Sequence, residues 1–166
     1  MSKVLSFLFF LSVSVFGFST EDIGGFWKTV NEQGLPQCII GIYEYEGVYY
    51  GRIIATFDDE GKMDDSIYAP KKRAPGVIGN PFYSGLDIIW GLLDVGVKFK
   101  GKILDPQKGN IYNSELWINK GNLVVRGKYL VFGRSQEWFP VSAKDLPKGF
   151  KMPDLEKFVP SIPQVN

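Results

Sequence analysis

The stretch from Cys38 to Ile54, CIIGIYEYEGVYYGRII, decides the fold class. β-Branched and aromatic residues stand on both sides of Glu46-Gly47, a pattern typical of a β-hairpin with a two-residue turn. With that turn, Ile42 lies opposite Gly51 in the expected register. The stretch therefore predicts two long antiparallel strands.

Both faces of this hairpin are largely apolar. One face carries Cys38, Ile40, Ile42, Tyr49, Ile53, Ala55 and Phe57, and the other carries Ile39, Tyr43, Tyr45, Val48, Tyr50 and Ile54. A sheet with one face in water would show polar residues on that face. We therefore expect the second face to be covered, either by the C-terminal tail or by another subunit.

Further strands follow on the C-terminal side. Residues 97–103 alternate strictly, with three lysines on one face, and a second hairpin turning at Lys120-Gly121 places Glu115 opposite Arg126. Short apolar segments near residues 26–30, 88–93 and 135–139 bring the count to about seven or eight strands, joined mostly by short turns. The sequence predicts an all-β fold, an antiparallel up-and-down barrel of about eight strands.

Residues 1–19 have the pattern of a secretory signal peptide. Lys3 supplies a positive charge, an apolar or small-residue run extends from Val4 to Phe16, and small residues precede the expected cleavage site near Ser19. The run is short for a membrane span, which disfavours the alternative of an uncleaved anchor. We expect a secreted or periplasmic protein with no stable membrane insertion after cleavage.

The charge balance gives no indication of a polyanionic partner. The chain has 19 Lys and Arg and 18 Asp and Glu, so the loss of Lys3 leaves 18 against 18 and a net charge of zero. Neither nucleic acid nor an anionic membrane is indicated by that balance. We expect a monomer or a homodimer.

The expected organisation is one domain followed by a tail. Residues 20–140 form the barrel domain, and residues 141–166 form an irregular, proline-rich C-terminal extension. The density of prolines forbids a long helix there. The apolar residues between the prolines predict that the extension docks on the barrel, at the second apolar face of the first hairpin.

The composition excludes large parts of enzyme chemistry. The chain has no histidine and a single cysteine, Cys38, so Ser-His-Asp and Cys-His catalysis, His-ligated zinc and intrachain disulfides are excluded. The acidic run 58–65 lacks the alternating order of a calcium loop. A carboxylate pair drawn from Glu44, Glu46 or Glu137 is the remaining enzymatic alternative, but no spacing forces two of them together. We expect a protein that is not an enzyme and that has no cofactor and no metal.

The first strand carries a resemblance to a known class. Gly25-Phe26-Trp27 resembles the G-x-W signature of lipocalins and related calycin barrels, in which the tryptophan closes one end of the barrel and an arginine of the last strand crosses its ring. Arg134 is placed to be that arginine. The resemblance implies a structural role for Trp27 and Arg134.

The mature region as a whole resembles a family of small secreted bacterial domains of unknown function with a lipocalin-like barrel. The resemblance extends over about residues 24–138. The blocks that carry it are Gly25-Phe26-Trp27, Ile42-Tyr43-Glu44, Tyr50-Gly51-Arg52-Ile53, Gly101-Lys102-Ile103-Leu104-Asp105-Pro106, Tyr112, Arg126-Gly127 and the stretch 133–138. It implies a calycin-type barrel that binds a hydrophobic ligand, and it supplies no catalytic residue.

The candidate binding site is the inner face of the barrel. The strand alternation points ten side chains inward: Ile40, Ile42, Tyr49, Ile53, Phe99, Ile103, Tyr112, Leu116, Leu123 and Val125. An eight-stranded barrel either packs solid or holds one small ligand. Gly51 and Gly101, at inward positions, favour a cavity because they remove volume.

The function that follows is binding of a small hydrophobic molecule, such as a fatty acid or another lipid, without catalysis. Tyr49 or Tyr112 would orient the polar head of such a ligand. The alternative is an interaction module with a solid barrel that acts through its loops, its tail or a dimer face.

Overall fold

A computed structural model describes residues 20–127 and 135–166, which form nine β-strands. Their bounds are β1 (Gly25–Val30), β2 (Pro36–Tyr45), β3 (Val48–Phe57), β4 (Met63–Ser66), β5 (Asp87–Asp94), β6 (Phe99–Asp105), β7 (Asn110–Asn119), β8 (Asn122–Gly127) and β9 (Ser135–Pro140). The described helical elements are two 3₁₀ turns, Ala143–Asp145 and Leu155–Lys157. Within the described ranges, no helix has the length and apolar character needed to cross a membrane.

The sheet closes into a barrel. Its strand order is β2-β1-β9-β8-β7-β6-β5-β3-β4, and β2 also pairs with β3. All the pairings are antiparallel, and the last strand returns to the first through Trp27 opposite Pro140 and Lys28 opposite Phe139. The short β4 lies beside the C-terminal half of β3, whereas the N-terminal half of β3 pairs with β5. The wall thus has eight strands in up-and-down order, which confirms the predicted fold class.

Two tight turns fix the registers that the sequence predicted. Glu46 and Gly47 have φ of 51° and 78°, and Lys120 and Gly121 have φ of 50° and 80°. Two successive positive φ angles define the type I′ turn, whose twist matches that of the flanking strands. Ile42 consequently pairs with Gly51, as expected.

A β-bulge changes the faces of the first hairpin beyond its middle. The register of β2 and β3 shifts between Ile39 and Ile40, which makes Ile54 an extra residue on β3. Past such a bulge the alternation changes face. Phe57 accordingly packs with Ile39 and Ile54 on the outside of the wall, and Ala55 pairs with Ile39. The expectation that Ala55 and Phe57 share the inner face was therefore wrong.

Two apolar clusters lie on opposite sides of the barrel wall. The inner cluster fills the barrel, and its buried members include Trp27, Ile40, Ile42, Ile53, Ile89, Leu92, Phe99, Leu116, Leu123, Val125 and Trp138. The outer cluster comprises Ile39, Ile54 and Phe57 together with the partly buried Phe26, Met63, Ile67, Val141, Leu146, Phe150, Met152 and Phe158. Five members of the outer cluster belong to the C-terminal tail: Val141, Leu146, Phe150, Met152 and Phe158.

The tail lies along the outer face of β2 and β3. A Cβ added at Gly41 would lie 2.8 Å from Leu155 Cδ2, so the absence of a side chain on β2 makes room for the tail. Phe158 meets the ring of Tyr43 edge-on, with 5.3 Å between the ring centroids. The second apolar face of the first hairpin is therefore covered by residues of the same chain.

Candidate functional site

The predicted inner face is gathered inside the barrel. Seven of the ten side chains, Ile40, Ile42, Ile53, Phe99, Leu116, Leu123 and Val125, are buried in the inner cluster, with exposures of 0–3%. Tyr49 and Ile103 are partly buried and pack against it. Tyr112 lies opposite Ile103 in the register of β6 and β7. Their role in binding a ligand stays a prediction.

One end of the barrel, the Trp27 end, is plugged. Trp27 is 7% exposed, and its indole Nε1 donates a hydrogen bond of 2.9 Å to the carbonyl oxygen of Ile23, which is fully buried. Tyr49 packs edge-on against Phe99 at 5.0 Å between the ring centroids. The predicted partner of Trp27, Arg134, lies outside the described residues.

The hydroxyl of Tyr49 is engaged at this plugged end. It donates a hydrogen bond of 3.2 Å to Asp22 Oδ1. Partial burial, followed by the negative charge of Asp22, raises the pKa of Tyr49 from 10.0 to about 12. Of the two tyrosines expected to orient a polar head, Tyr112 is therefore the better placed.

The inward glycines do not open a cavity. A Cβ added at Gly51 would lie 3.0 Å from both Ile42 Cδ1 and Ile89 Cβ, so side chains already occupy that space. At Gly101 the added atom would lie 2.6 Å from the carbonyl oxygen of Trp90. The expectation that these two glycines create volume was wrong, because both positions instead permit close approach of neighbouring atoms.

A cleft is found at the opposite end of the barrel, here called the loop end. It has a volume of about 240 Å³ and lies where β6 finishes, β7 begins, β8 finishes and β9 begins. Its lining residues are Ile103, Leu104, Asp105, Pro106, Tyr112, Val125, Gly127 and Gln136. Three of the ten predicted inward residues, Ile103, Tyr112 and Val125, therefore meet at one opening, which we call the mouth cleft.

The mouth cleft combines an apolar floor with a few polar groups. Ile103 and Val125 supply apolar surface, and Tyr112, Gln136 and Asp105 supply the polar groups of the wall. Asp105 Oδ1 already accepts hydrogen bonds of 2.9 and 3.1 Å from the backbone N–H groups of Gln107 and Lys108. Gln136 Oε1 accepts a hydrogen bond of 3.2 Å from Trp138 Nε1. Small-molecule sites typically have this composition, a largely apolar pocket with few polar groups that fix orientation.

Sequence reasoning missed the contribution of β9 to this cleft. Gln136 lies two residues before Trp138, which belongs to the inner cluster, and residues two apart on a strand share a face. Counting back from Trp138 would have found Gln136. Asp105 and Pro106 belong to a turn, for which strand alternation gives no direction.

The long connection between β4 and β5 packs over the loop end. Ala74 and Val77 are buried in the inner cluster. The backbone N–H of Gly76 donates a 3.0 Å hydrogen bond to the carbonyl of Pro106, a residue of the mouth cleft. Two residues further along, the backbone N–H of Ile78 donates a hydrogen bond of 2.8 Å to the carbonyl oxygen of Gln164 in the tail. This connection therefore packs against the β6–β7 turn that borders the mouth cleft.

The acidic run 58–65, which forms the turn between β3 and β4 and continues into β4, is satisfied internally. Asp58 Oδ1 accepts hydrogen bonds of 2.9 Å from the backbone N–H groups of Glu60 and Lys62, and the bond from Lys62 is the main cause of a lowered Asp58 pKa. Lys72 Nζ lies 2.9 Å from Asp64 Oδ2. Among the described residues, no group of three or more His, Cys, Asp or Glu side chains has an arrangement that could hold a metal ion.

The single thiol lies at the wall of the barrel and packs against the inner cluster. Removal of the sulfur from water, with a smaller contribution from the charge of Asp65, raises the pKa of Cys38 from 9.0 to about 12. The thiolate is the nucleophilic form of cysteine. Cys38 is therefore a protonated, unreactive group at neutral pH.

The fold and the mouth cleft define a lipocalin-like barrel, a class of eight-stranded antiparallel barrels that includes ligand carriers. The chain belongs to a bacterial family described as "Uncharacterized protein conserved in bacteria (DUF2147)", whose sequence profile matches residues 25–139. No curated protein matches the chain by sequence.

A solved structure supports the class. It is described as "Protein HP1028 from the human pathogen Helicobacter pylori belongs to the lipocalin family". Its TM-score against this chain is 0.56 at 17% sequence identity, and the match covers 76% of this chain and 87% of that one. At this identity the likeness shows the barrel fold.

Proposed function

We propose that this protein is an exported, non-catalytic carrier that binds a small hydrophobic molecule, such as a fatty acid or another lipid, in its mouth cleft. The observation that supports this proposal is the convergence of Ile103, Tyr112 and Val125 at an opening of about 240 Å³. Export to the periplasm or the medium follows from the signal-like pattern of residues 1–19.

Apolar burial would supply the affinity. Each Å² of apolar surface removed from water contributes about 25 cal/mol. The cleft is smaller than the roughly 300–1,000 Å³ of sites for drug-sized molecules. It fits a short hydrophobic group or the end of an acyl chain, with Tyr112 and Gln136 placed to bind a polar head.

The positions of the candidate carboxylates support a non-catalytic role. Glu44 and Glu46 lie at the hairpin turn of the Trp27 end. Glu137 lies on β9, where its Oε1 accepts a hydrogen bond of 3.0 Å from Asn122. Two-carboxylate glycosidases need their acid and base on either side of one scissile bond, and these three residues flank no common cleft.

The proposal is tested by filling the mouth cleft from one wall. Gln136→Trp places an indole on the cleft side of β9, and Glu137→Trp places the same group on the adjacent residue, which faces the other way. We expect decanoate to bind the wild type and the Glu137→Trp variant equally, and to bind the Gln136→Trp variant at least about tenfold more weakly because the volume is lost. Isothermal titration calorimetry gives the affinities.

Native mass spectrometry of the protein purified after export, followed by organic extraction, checks for a bound molecule from the cell. A stoichiometric lipid-sized adduct supports the carrier proposal and gives its ligand class. A bare mass, with no uptake of decanoate by the wild type, would contradict it.

That second outcome favours the alternative, an interaction module with a solid barrel. The specific observation behind it is the filled interior between the mouth cleft and the Trp27 end, where Leu116 and Leu123 are 0% exposed.

A further inference from the structure

The tip between β5 and β6 exposes a cluster of apolar side chains. Leu93, Val95 and Val97 are 53%, 49% and 74% exposed. The other large hydrophobic side chains that are exposed in the described residues are spread over loops, the tail and β7; they are Tyr68, Ile78, Ile111, Val159 and Ile162. Residues 93–97, here called the apolar tip, are thus a concentration of exposed hydrophobic surface at the Trp27 end.

The apolar tip is an ordered turn. Within the turn, the backbone N–H of Val95 donates a hydrogen bond of 2.9 Å to the carbonyl oxygen of Lys98. Asp94 Oδ1 accepts hydrogen bonds from the Gly96 N–H at 2.7 Å and from Thr20 Oγ1 at 2.6 Å. Because the turn is already fixed by these bonds, its side chains would be buried on docking with little further loss of backbone entropy.

Lysines and a tryptophan border the apolar tip. Lys98, which directly precedes β6, and Lys100 and Lys102 on β6 alternate along one outer face. The neighbouring strand β7 sets a single carboxylate, Glu115, against them. The Nζ atoms of Lys98 and Lys100 lie 2.8 Å and 3.9 Å from Glu115 carboxylate oxygens. With Asp94 of the apolar tip counted as well, the three lysines face two carboxylates, and Asp94 is already hydrogen-bonded to Thr20 and Gly96. The outer face of β6 and β7 therefore keeps an excess of positive charge.

The aromatic neighbour is Trp117 on β7. Lys98 Nζ lies 5.9 Å from the centroid of its ring, and the residue is partly exposed. Exposed aliphatic side chains with tryptophan and lysine beside them are the composition of segments that bind at a membrane surface, where the indole occupies the headgroup level.

We propose that the apolar tip docks on an anionic lipid surface, inserting Val95 and Val97 among the headgroups while Lys98 and the lysines of β6 contact the lipid phosphates. The whole-chain charge balance did not indicate such a partner because it averages over charges that the fold separates. The docking is peripheral and involves no membrane span. It is independent of ligand binding, since the mouth cleft lies at the other end of the barrel.

A second copy of the chain fits the same surface less well. A symmetric contact through the apolar tip would bring Lys98 and Lys100 of one copy towards the same residues of the other, and like charges oppose such a contact. A stable dimer also buries roughly 800 Å² on each partner, which is more than a few side chains of one turn provide.

Vesicle sedimentation tests the proposal with the protein purified after export and its amino terminus determined by mass spectrometry. The probes are vesicles of phosphatidylcholine alone and vesicles that also contain phosphatidylglycerol. We expect sedimentation with the anionic vesicles, weakened by added salt, and less with the neutral ones.

Two matched double variants locate the contact. Val95→Asp with Val97→Asp changes the apolar tip, and Val159→Asp with Ile162→Asp makes the same change at two exposed tail positions. The tip variant should lose about tenfold or more of its vesicle binding, and the tail variant should keep it. The milder Val97→Ser serves if the tip variant does not fold, as judged by circular dichroism.

Equal binding by the tip variant and the wild type would overturn the proposal, as would wild-type protein that sediments with neither vesicle. A concentration-dependent dimer in sedimentation velocity that the tip variant abolishes, without vesicle binding, would assign the surface to a second copy instead.

Discussion

Asp87 joins three parts of the chain through one carboxylate. It is 1% exposed, and its oxygens accept hydrogen bonds from Tyr43 Oη at 2.9 Å, from Arg52 Nε and Nη2 at 2.9 and 2.8 Å, and from the Ser161 N–H at 2.8 Å. Arg52 Nη2 in turn donates to the carbonyl of Val159 at 2.7 Å. The buried carboxylate is therefore paired with Arg52, and its hydrogen bond from Ser161 holds the tail against β3 and β5.

The buried ion pair of Asp87 and Arg52 affects neighbouring side chains. Burial, and after it the negative charge of Asp87, raises the pKa of Tyr43 well above its usual value of 10.0, so the phenol remains a hydrogen-bond donor throughout the neutral range. The guanidinium of Arg52 also lies 4.5 Å from the centroid of the Phe158 ring. The ion pair and the aromatic contact thus both attach the segment from Phe158 to Ser161 to the barrel.

Asp87→Asn is predicted to be strongly destabilising. The substitution leaves Arg52 buried without its counter-charge, a change that typically costs about 3–5 kcal/mol of the free energy of unfolding. Urea denaturation followed by circular dichroism measures the loss. Limited proteolysis should also cut the tail near Val159 more rapidly, because one of the groups that anchors Ser161 has changed.

The matched control is the exposed pair of Lys62 and Glu60, whose side chains are both 74% exposed. Glu60→Gln should change the free energy of unfolding by no more than about 1 kcal/mol. Equal effects of the two amide substitutions would show that the cluster around Asp87 contributes no more than a surface pair.

At the level of strands, the turn residues in the sequence correctly predicted the hairpin registers, because local backbone geometry determines both. The type I′ turns at Glu46-Gly47 and Lys120-Gly121 need positive φ angles, for which the glycines are suited, and those turns fix the registers of two hairpins. The bulge at Ile54 was not predictable in this way. It lies where β3 passes from its pairing with β5 to its pairing with β4, which is a long-range arrangement.

The same distinction applies to the candidate site. Alternation along strands correctly gathered Ile103, Tyr112 and Val125 on one side of the wall, because the period of two is a local property. Whether the interior is filled depends on contacts between distant strands, as at Gly51, where Ile89 of β5 occupies the space. Sequence spacing contains no information about that contact.

A pair of glycine substitutions tests how tightly the strands pack. Gly101→Ala would place a Cβ 2.6 Å from the Trp90 carbonyl oxygen and 2.9 Å from the Gly91 carbonyl carbon, both backbone atoms that cannot move without disturbing the β5–β6 pairing. We expect the free energy of unfolding to fall by about 1–3 kcal/mol, measured by urea denaturation.

Gly41→Ala is the matched control, since Gly41 also lies inside a strand. Its added Cβ would meet Leu155 Cδ2, the far end of a flexible side chain that can rotate away. The control should cost clearly less than Gly101→Ala. The opposite order would contradict the packing described for β6.

For the whole molecule, the tail completes a barrel whose first hairpin is apolar on both faces. The inner face of β2 and β3 contacts the interior, and the outer face contacts Leu155, Phe158 and other tail residues. The region matched by the family ends at residue 139, so the covering segment lies beyond it. In an ordinary antiparallel sheet the outer face is polar and contacts water directly. Here the outer face is apolar, and the tail covers it.

Deletion of residues 141–166 is therefore predicted to leave a barrel that associates. The deletion uncovers Ile39, Ile54 and Phe57, which are 0%, 0% and 7% exposed in the whole chain, and contiguous apolar patches of this kind drive association. Sedimentation velocity should show concentration-dependent oligomers, and 1-anilinonaphthalene-8-sulfonate fluorescence should rise. In the intact chain, Ile162→Ser changes an exposed tail residue and should do neither. A truncated protein that stays monomeric, with an unchanged urea midpoint, would mean that the outer face needs no cover, and the tail would then be an appendage of the barrel instead of part of its core.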